Sequence, residues 1–397
     1  MEPVCFIDRP HHFGMKQRMS SVNTSEPWRV GVLFSSSGFL AVIEETQLRG
    51  TLTSIEEIND NGGINGRAIE PVIYDPGSET AAFGRYAKRL MVEDGITTIF
   101  GCYTSSSRKA VMPVVERLNG LLWYPTLYEG FEYSPNIIYT GAGPNQNSVA
   151  LSRYLMAHFG TRFYFVGSDY VYPYMSNRVM WEFVRANGGE VVGEKYVSLR
   201  AEPKDFIPVM RDIRETKPDI IFSTVVGKST DLLYQAYRDF GFDPKVMPIA
   251  SLTTTEAEIR SMGLDVGEGH ITAAPYFDGV GGETNTVFTS RYQRRYGKDE
   301  PTNMCLEAAY FQVQIFAKAL EETNSMDTEI LRPMVLGSEY EAPQGRVSIN
   351  QGCNHADLWT RIGRANRSGR FDVVYESQSR VSADPYLIGY GRSAAIG

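Results

Sequence analysis

"ITTIFGCYTSSSRKAVMPVVERLNGLLWYP", residues 96–125, decides how this chain folds. The apolar run ITTIFGC (96–102) reads as a buried strand. Ala110, Val111, Val114, Val115 and Leu118 then recur at helical spacing on one face. Pro113 sits inside that helix and predicts a kink or a late start to regular helix. GLLWYP (120–125) is strand again. A strand, a polar turn, a helix and a second strand in so short a stretch make a parallel β-α-β unit.

The same alternation extends in both directions. WRVGVLFS (28–35) is a continuous apolar strand, followed by a helix over 43–59, a Gly/Asn turn at 61–67, strand 68–76 and helix 79–94. After NIIYTGAGPNQNS (136–148) the pattern restarts. Helices over 149–159, 175–187, 204–215 and 229–240 alternate with strands over 163–168, 191–197, 219–226 and 246–251. GHITAAPYF (269–277) opens a third section, with helices near 302–322 and 326–335 and β-like segments at 344–350 and 371–377. Two open α/β sets with late returns predict a bilobed α/β molecule whose chain crosses between lobes near 141–148, 276–280 and 341–346.

Composition narrows the function. A chain of 397 residues with 42% hydrophobic and 22% charged residues is ordinary globular protein. A net charge of −8 argues against a nucleic-acid surface, which needs clustered Lys and Arg. No apolar run approaches the roughly 18 residues that a membrane span needs. Residues 1–27 read as a flexible polar leader without the apolar core of a secretion signal, which points to the cytoplasm, with the periplasm as the alternative. The four cysteines (Cys5, Cys102, Cys305, Cys353) are far apart and suit reduced thiols. The one close histidine pair, His11-His12, lies in the leader, so neither a metal nor a cofactor is expected.

Three enzyme signals fail on inspection. Ser106 to Lys109 matches S-x-x-K, but the S-D-N and K-T-G partners of acyl-serine enzymes are missing. GKST (227–230) imitates the end of a phosphate loop, yet Phe222 occupies the first glycine position; Ser229 or Thr230 reads as a helix cap instead. Cys102, with Glu116 and Lys109 nearby, could be a nucleophile, but it abuts an apolar strand and reads as packing. Arg108 and Lys109 fall in a first helical turn, where the dipole disfavours cations, and are assigned to the outer face.

Ligands of open parallel sheets bind outside the carboxyl ends of the strands. Here those ends are rich in hydroxyls: Ser35 to Ser37, Tyr103 to Ser105, Tyr124 to Thr126, Ser168 to Tyr170, Ser223-Thr224 and Ser251 to Thr255. Tyr124, Tyr128, Phe131 and Tyr133 in WYPTLYEGFEYSPN (123–136), with Tyr170, Tyr172 and Tyr174, could wall a small, weakly polar ligand. With no Arg–Asp clamp in view, a neutral polar ligand fits best.

At these residues a resemblance emerges. Residues 101–148, with GSDYVYP (167–173), FSTVVG (222–227), IASLTTTEAEI (249–259), APYF (274–277), APQGRV (342–347) and DPYL (384–387), resemble a bacterial family. That family holds the amide-sensing negative regulator of the aliphatic amidase operon and the urea-binding proteins of ABC transporters. The resemblance covers about residues 29 to 388, and STVVG with SLTTTEAE is closer to the amide regulator. It implies the type I periplasmic-binding-protein fold, α/β, with two Rossmann-like lobes, three crossovers and a central ligand cleft. The lobes would be 28–143 with 277–343, and 144–276 with 344–390. It implies no enzyme but a cytoplasmic sensor for short aliphatic amides or urea, dimeric and partnered by an RNA-binding antiterminator. The alternative is the substrate-binding protein of a urea or amide importer. Ligand contacts carried over are Tyr103, Ser105, Tyr124, Thr126 and Tyr170, with Tyr172 close by. Leu127 departs from the regulator's proline and would reshape the alkyl end of the site.

Overall fold

Of WRVGVL (28–33) only Arg29 is exposed, the signature of a strand covered on both faces. The computed structural model describes residues 26–390; the leader up to residue 25, with Cys5, His11 and His12, lies outside the described residues. Chain order begins β1 (Trp28–Leu33), α1 (Ala41–Asp60), β2 (Ile69–Tyr74), α2 (Thr80–Val92), β3 (Thr98–Gly101), α3 (Ser105–Arg117), β4 (Leu121–Tyr124) and β5 (Ile137–Tyr139). These strands form one parallel sheet in the order β2-β1-β3-β4-β5. The order reverses between β1 and β3, which opens a crevice at their carboxyl ends.

The chain continues through α4 (Pro144–His158), β6 (Arg162–Ser168), α5 (Val171–Ala186), β7 (Glu190–Val197), α6 (Pro203–Thr216), β8 (Ile220–Thr224), α7 (Lys228–Asp239), β9 (Ile249–Ser251), α8 (Glu256–Met262), α9 (Leu264–Gly267) and β10 (Ile271–Ala274). After α10 (Glu283–Tyr296), α11 (Met304–Thr323) and α12 (Thr328–Val335) come β11 (Glu339–Ala342), β12 (Gly345–Ile349), β13 (Ala356–Asp357), β14 (Arg361–Ala365) and β15 (Phe371–Glu376). The second sheet has the order β15-β14-β10-β9-β8-β6-β7, parallel except that β14 runs against both of its neighbours, and β11-β12-β13 form a small sheet of their own. The chain leaves the first sheet after Tyr139, leaves the second after Ala274, and re-enters it at Arg361.

Helix α11 returns to pack along α1. Gly50 permits that approach: a Cβ there would meet the Leu306 carbonyl oxygen at 2.3 Å. Opposite faces of the first sheet carry separate apolar layers, Val32, Phe100 and Trp123 on one side and Leu33, Leu122 and Tyr124 on the other. Strand periodicity of two makes that division. No late helix start follows from Pro113, because α3 is regular from Ser105. Its first turn is capped by Thr104, whose hydroxyl accepts from Ser107 N at 3.0 Å. Among the described residues, no helix is long and apolar enough to cross a membrane.

Candidate functional site

The carboxyl ends of β3, β4, β6, β8 and β9 meet around one small cavity. Tyr103, Ser105, Thr126, Leu127, Tyr170, Tyr172, Val226 and Thr253 line it. The first four come from the β3 and β4 loops, the rest from the second sheet, so a ligand here would touch both. At the end of β3, Cys102 adopts φ 72, a left-handed turn that a non-glycine residue takes only when its surroundings impose it. Immediately after it stand Tyr103 and Ser105. Thr126 lies where the crossing segment passes closest; a Cβ on Gly141 would sit 2.0 Å from the Thr126 carbonyl carbon.

The wall is uncharged, and the protons of its serine and threonine hydroxyls go to protein acceptors. Ser105 Oγ donates to Glu129 Oε2, Thr126 Oγ1 donates to the Cys102 carbonyl at 3.3 Å, and Thr253 Oγ1 donates to the Val225 carbonyl at 3.3 Å. Thr126 also accepts from Gln47 Nε2 at 2.8 Å. A serine or threonine hydroxyl has one proton and two lone pairs, so what these three retain for a ligand is acceptor capacity. Tyrosines supply the donors. Burial pushes the Tyr103, Tyr170 and Tyr172 hydroxyls well above the ordinary phenol range and keeps them protonated. Among the described residues the Tyr172 hydroxyl, buried in the wall, makes no hydrogen bond of normal geometry, and Ser176, one turn along α5, is the side chain nearest to serving it. An orphaned buried hydroxyl is costly until something supplies its partner.

Behind Ser105 lies a buried ion network. Arg108 is fully buried; its Nε donates to Glu132 Oε1 at 2.7 Å, its Nη2 to Glu129 Oε1 at 3.4 Å, and its Nη1 to Ser105 Oγ at 3.2 Å. The guanidinium also stands 4.7 Å from the ring centres of both Tyr124 and Tyr128. Desolvation opposes the Glu132 charge, but Arg108 and Lys109 outweigh it and hold the carboxyl below the usual range. Arg108 therefore does not belong to the outer face: the carboxylates of the following loop outweigh the helix dipole. Lys109 alone faces outward, paired with Glu132 at 2.6 Å.

Several other expected positions fall elsewhere. Tyr124 is absent from the cavity wall; its hydroxyl donates to the Tyr103 carbonyl at 2.7 Å and braces that loop from behind. Phe131 and Tyr133 are exposed, and Tyr128 is buried against Tyr139 and His355, so loop 123–136 gives the cavity Thr126 and Leu127 but none of its aromatic rings. Tyr174 is half exposed and donates to Asp169 at 2.8 Å. Ser35 instead braces its own loop, its Oγ accepting from Ser78 N at 2.9 Å and its N–H donating to Glu44 Oε2 at 2.7 Å. Neither Ser229 nor Thr230 caps α7; they donate to the Leu199 and Val225 carbonyls. Burial drives the Cys102 thiol pKa up, which leaves no thiolate for attack. Among the described residues no group of three or more His, Cys, Asp or Glu could hold a metal.

A second cavity adjoins the first. Leu127 lines both, and beyond it lie Pro125, Met304, Cys305 and Ala308. Gln47, Glu129 and Val226 were not singled out from sequence. Only Val226 had a local signal, its place at the end of an apolar strand.

Two sheets with ligand-facing ends on one shared cavity are the architecture of a clamp for small solutes, and comparison agrees. A periplasmic binding protein domain model matches residues 28–390, so the chain belongs to the periplasmic binding protein family, of the type I, Leu/Ile/Val-binding-like kind. A leucine-, isoleucine-, valine-, threonine- and alanine-binding protein of Pseudomonas aeruginosa is 22% identical over 320 residues, 79% of this chain and 83% of that one. The solute-binding protein of an ABC transporter from Rhodopseudomonas palustris HaA2, solved with p-hydroxybenzoic acid, superposes with a TM-score of 0.82 at 22% identity. It covers 92% of this chain and 100% of that one. A limonene hydroxylase of Geobacillus stearothermophilus is 26% identical over 126 residues, 32% of this chain; the match spans only 23% of that protein's length. The solute-binding relatives are not enzymes.

Proposed function

We propose that this protein captures a short neutral amide or urea in the cavity between its two sheets, as the solute-binding component of an ABC importer. The observation that carries the reading is the polarity of the wall: Ser105, Thr126 and Thr253 keep acceptors for N–H groups, while Tyr172 keeps a donor for a carbonyl. An amide presents that complement, two N–H donors beside one C=O acceptor. A carboxylate, such as the p-hydroxybenzoate or amino-acid ligands of the relatives, would meet no cation in this wall. In this reading residues 28–143 with 277–343, and 144–276 with 344–390, are the two lobes that close on the ligand. The importer role places the chain in the periplasm, as in its relatives.

Affinity follows from size. A ligand of four heavy atoms at the ceiling of about −1.5 kcal/mol per atom gains roughly −6 kcal/mol, a dissociation constant of tens of micromolar. A thermal-shift panel of formamide, acetamide, propionamide, butyramide, urea and branched-chain amino acids tests the class. Stabilisation by amides or urea is expected; stabilisation by amino acids alone would overturn it.

A second reading shares the cavity. STVVG (223–227) and SLTTTEAE (251–258), the stretches nearest the amide regulator, supply Val226 and Thr253 to the wall. They favour a cytoplasmic dimeric sensor that holds an RNA-binding antitermination protein until amide arrives. A permease and ATPase encoded beside the gene support the importer; an amidase and a small RNA-binding regulator support the sensor.

A further inference from the structure

We infer that Glu129, a residue outside the cavity, sets the selectivity of the cavity by fixing the direction of the Ser105 hydrogen bond. The inference rests on the amide reading above and deepens it. Acetamide and acetate have the same heavy-atom shape, so no steric wall can separate them. Charge and the direction of each hydrogen bond must do so.

Ser105 Oγ has one proton and two lone pairs. Its proton goes to Glu129 Oε2, and one lone pair receives Arg108 Nη1 at 3.2 Å. The one remaining lone pair belongs to a residue that lines the cavity. A ligand N–H completes that site. A ligand carboxylate oxygen there meets a lone pair instead, with no proton available to turn toward it.

The arrangement is held on every side. Glu129 is 4% exposed, and its second oxygen receives Arg108 Nη2 at 3.4 Å. Arg108 is pinned in turn by Glu132 and by the rings of Tyr124 and Tyr128. Arg108 and Lys109 balance Glu129 and Glu132 in charge, so the network supplies direction without a net attraction for anions. Glu129 is thus a positioning residue that acts through Ser105, and the selected class is a neutral ligand with an NH₂ group.

The test is calorimetric titration with acetamide and with acetate at one pH, on wild type, Glu129→Gln, Ser105→Ala and the double variant. A glutamine can donate to Ser105 and free its proton for a carboxylate. The acetamide-to-acetate affinity ratio is therefore expected to fall about tenfold or more in Glu129→Gln. On the Ser105→Ala background the same substitution should leave the ratio unchanged. An unchanged ratio in Glu129→Gln overturns the inference. An equal fall with or without Ser105 also overturns it, because the effect would then be bulk charge. Should Glu129→Gln fail to fold, Ser105→Ala alone must narrow the ratio, and a constant ratio refutes the role. Wild type that fails to bind acetamide removes the amide reading itself, a result visible before any variant is compared.

Discussion

Replacing Arg108 by methionine should cost this protein much of its stability. The side chain is fully buried and holds Glu129 and Glu132, themselves 4% and 9% exposed at the side chain, across the α3 to loop boundary. Methionine fills most of the volume but leaves two buried carboxylates facing one cation, Lys109, which is itself 46% exposed. Breaking a buried pair by removing one partner costs about 3–5 kcal/mol, because the remaining charge stays desolvated. At roughly 1.2 °C per kcal/mol for a chain of 397 residues, the melting temperature should fall by about 4–6 °C. Guanidinium chloride denaturation followed by circular dichroism measures the loss without adding a proposed ligand. Adding Glu129→Gln to Arg108→Met should recover part of it, since one uncompensated charge disappears. An Arg108→Met protein with an unchanged denaturation midpoint would refute the reasoning, as would a double variant no more stable than the single.

Other perturbations separate binding from folding. Tyr172→Phe removes an unpartnered hydroxyl, so it should leave stability within about 1 kcal/mol while weakening amide binding by about tenfold, read by calorimetry. Leu127→Ala should join the two cavities it divides and shift preference from acetamide toward butyramide, which competition titrations would detect. Burial pushes Glu44, Glu256 and Glu307 up to about 8 and Glu258 up to about 7. The folded state thus binds more protons than the unfolded state, and stability should fall as pH rises from about 4.5 through 8. Melting temperatures across that window test the sign, and Glu307→Gln should flatten the slope.

Much of the fold was legible because the strands are buried on both faces and so read as continuous apolar runs. WRVGVL, TIFG and IIFST announce themselves without neighbours. Strand β14 does not, because RIGRA carries two arginines; Arg361 is buried only because the Pro275 and Gln344 carbonyls and Glu376 receive it. The same contrast runs through the site. Ser105 and Thr126 follow from the rule that ligands sit at strand ends. Tyr124 obeys the same rule in sequence yet points to the far layer, since adjacent strand residues face opposite ways. The burial of Arg108 is not legible locally, because the helix dipole acts within one turn while its carboxylate partners lie 21 and 24 positions away. Gln47 sits in a helix and reaches Thr126 across 79 positions, a contact that helical periodicity alone does not encode.

The central claim is that a short amide sits between the two sheets with its NH₂ group on Ser105 and Thr126 and its oxygen toward Tyr172. A crystal structure of the protein grown with saturating acetamide tests it most directly. The account predicts one acetamide in the cavity bounded by Tyr103, Ser105, Thr126, Tyr170, Tyr172 and Thr253. An empty cavity at saturating acetamide, or a carboxylate retained there from the cell, would contradict it.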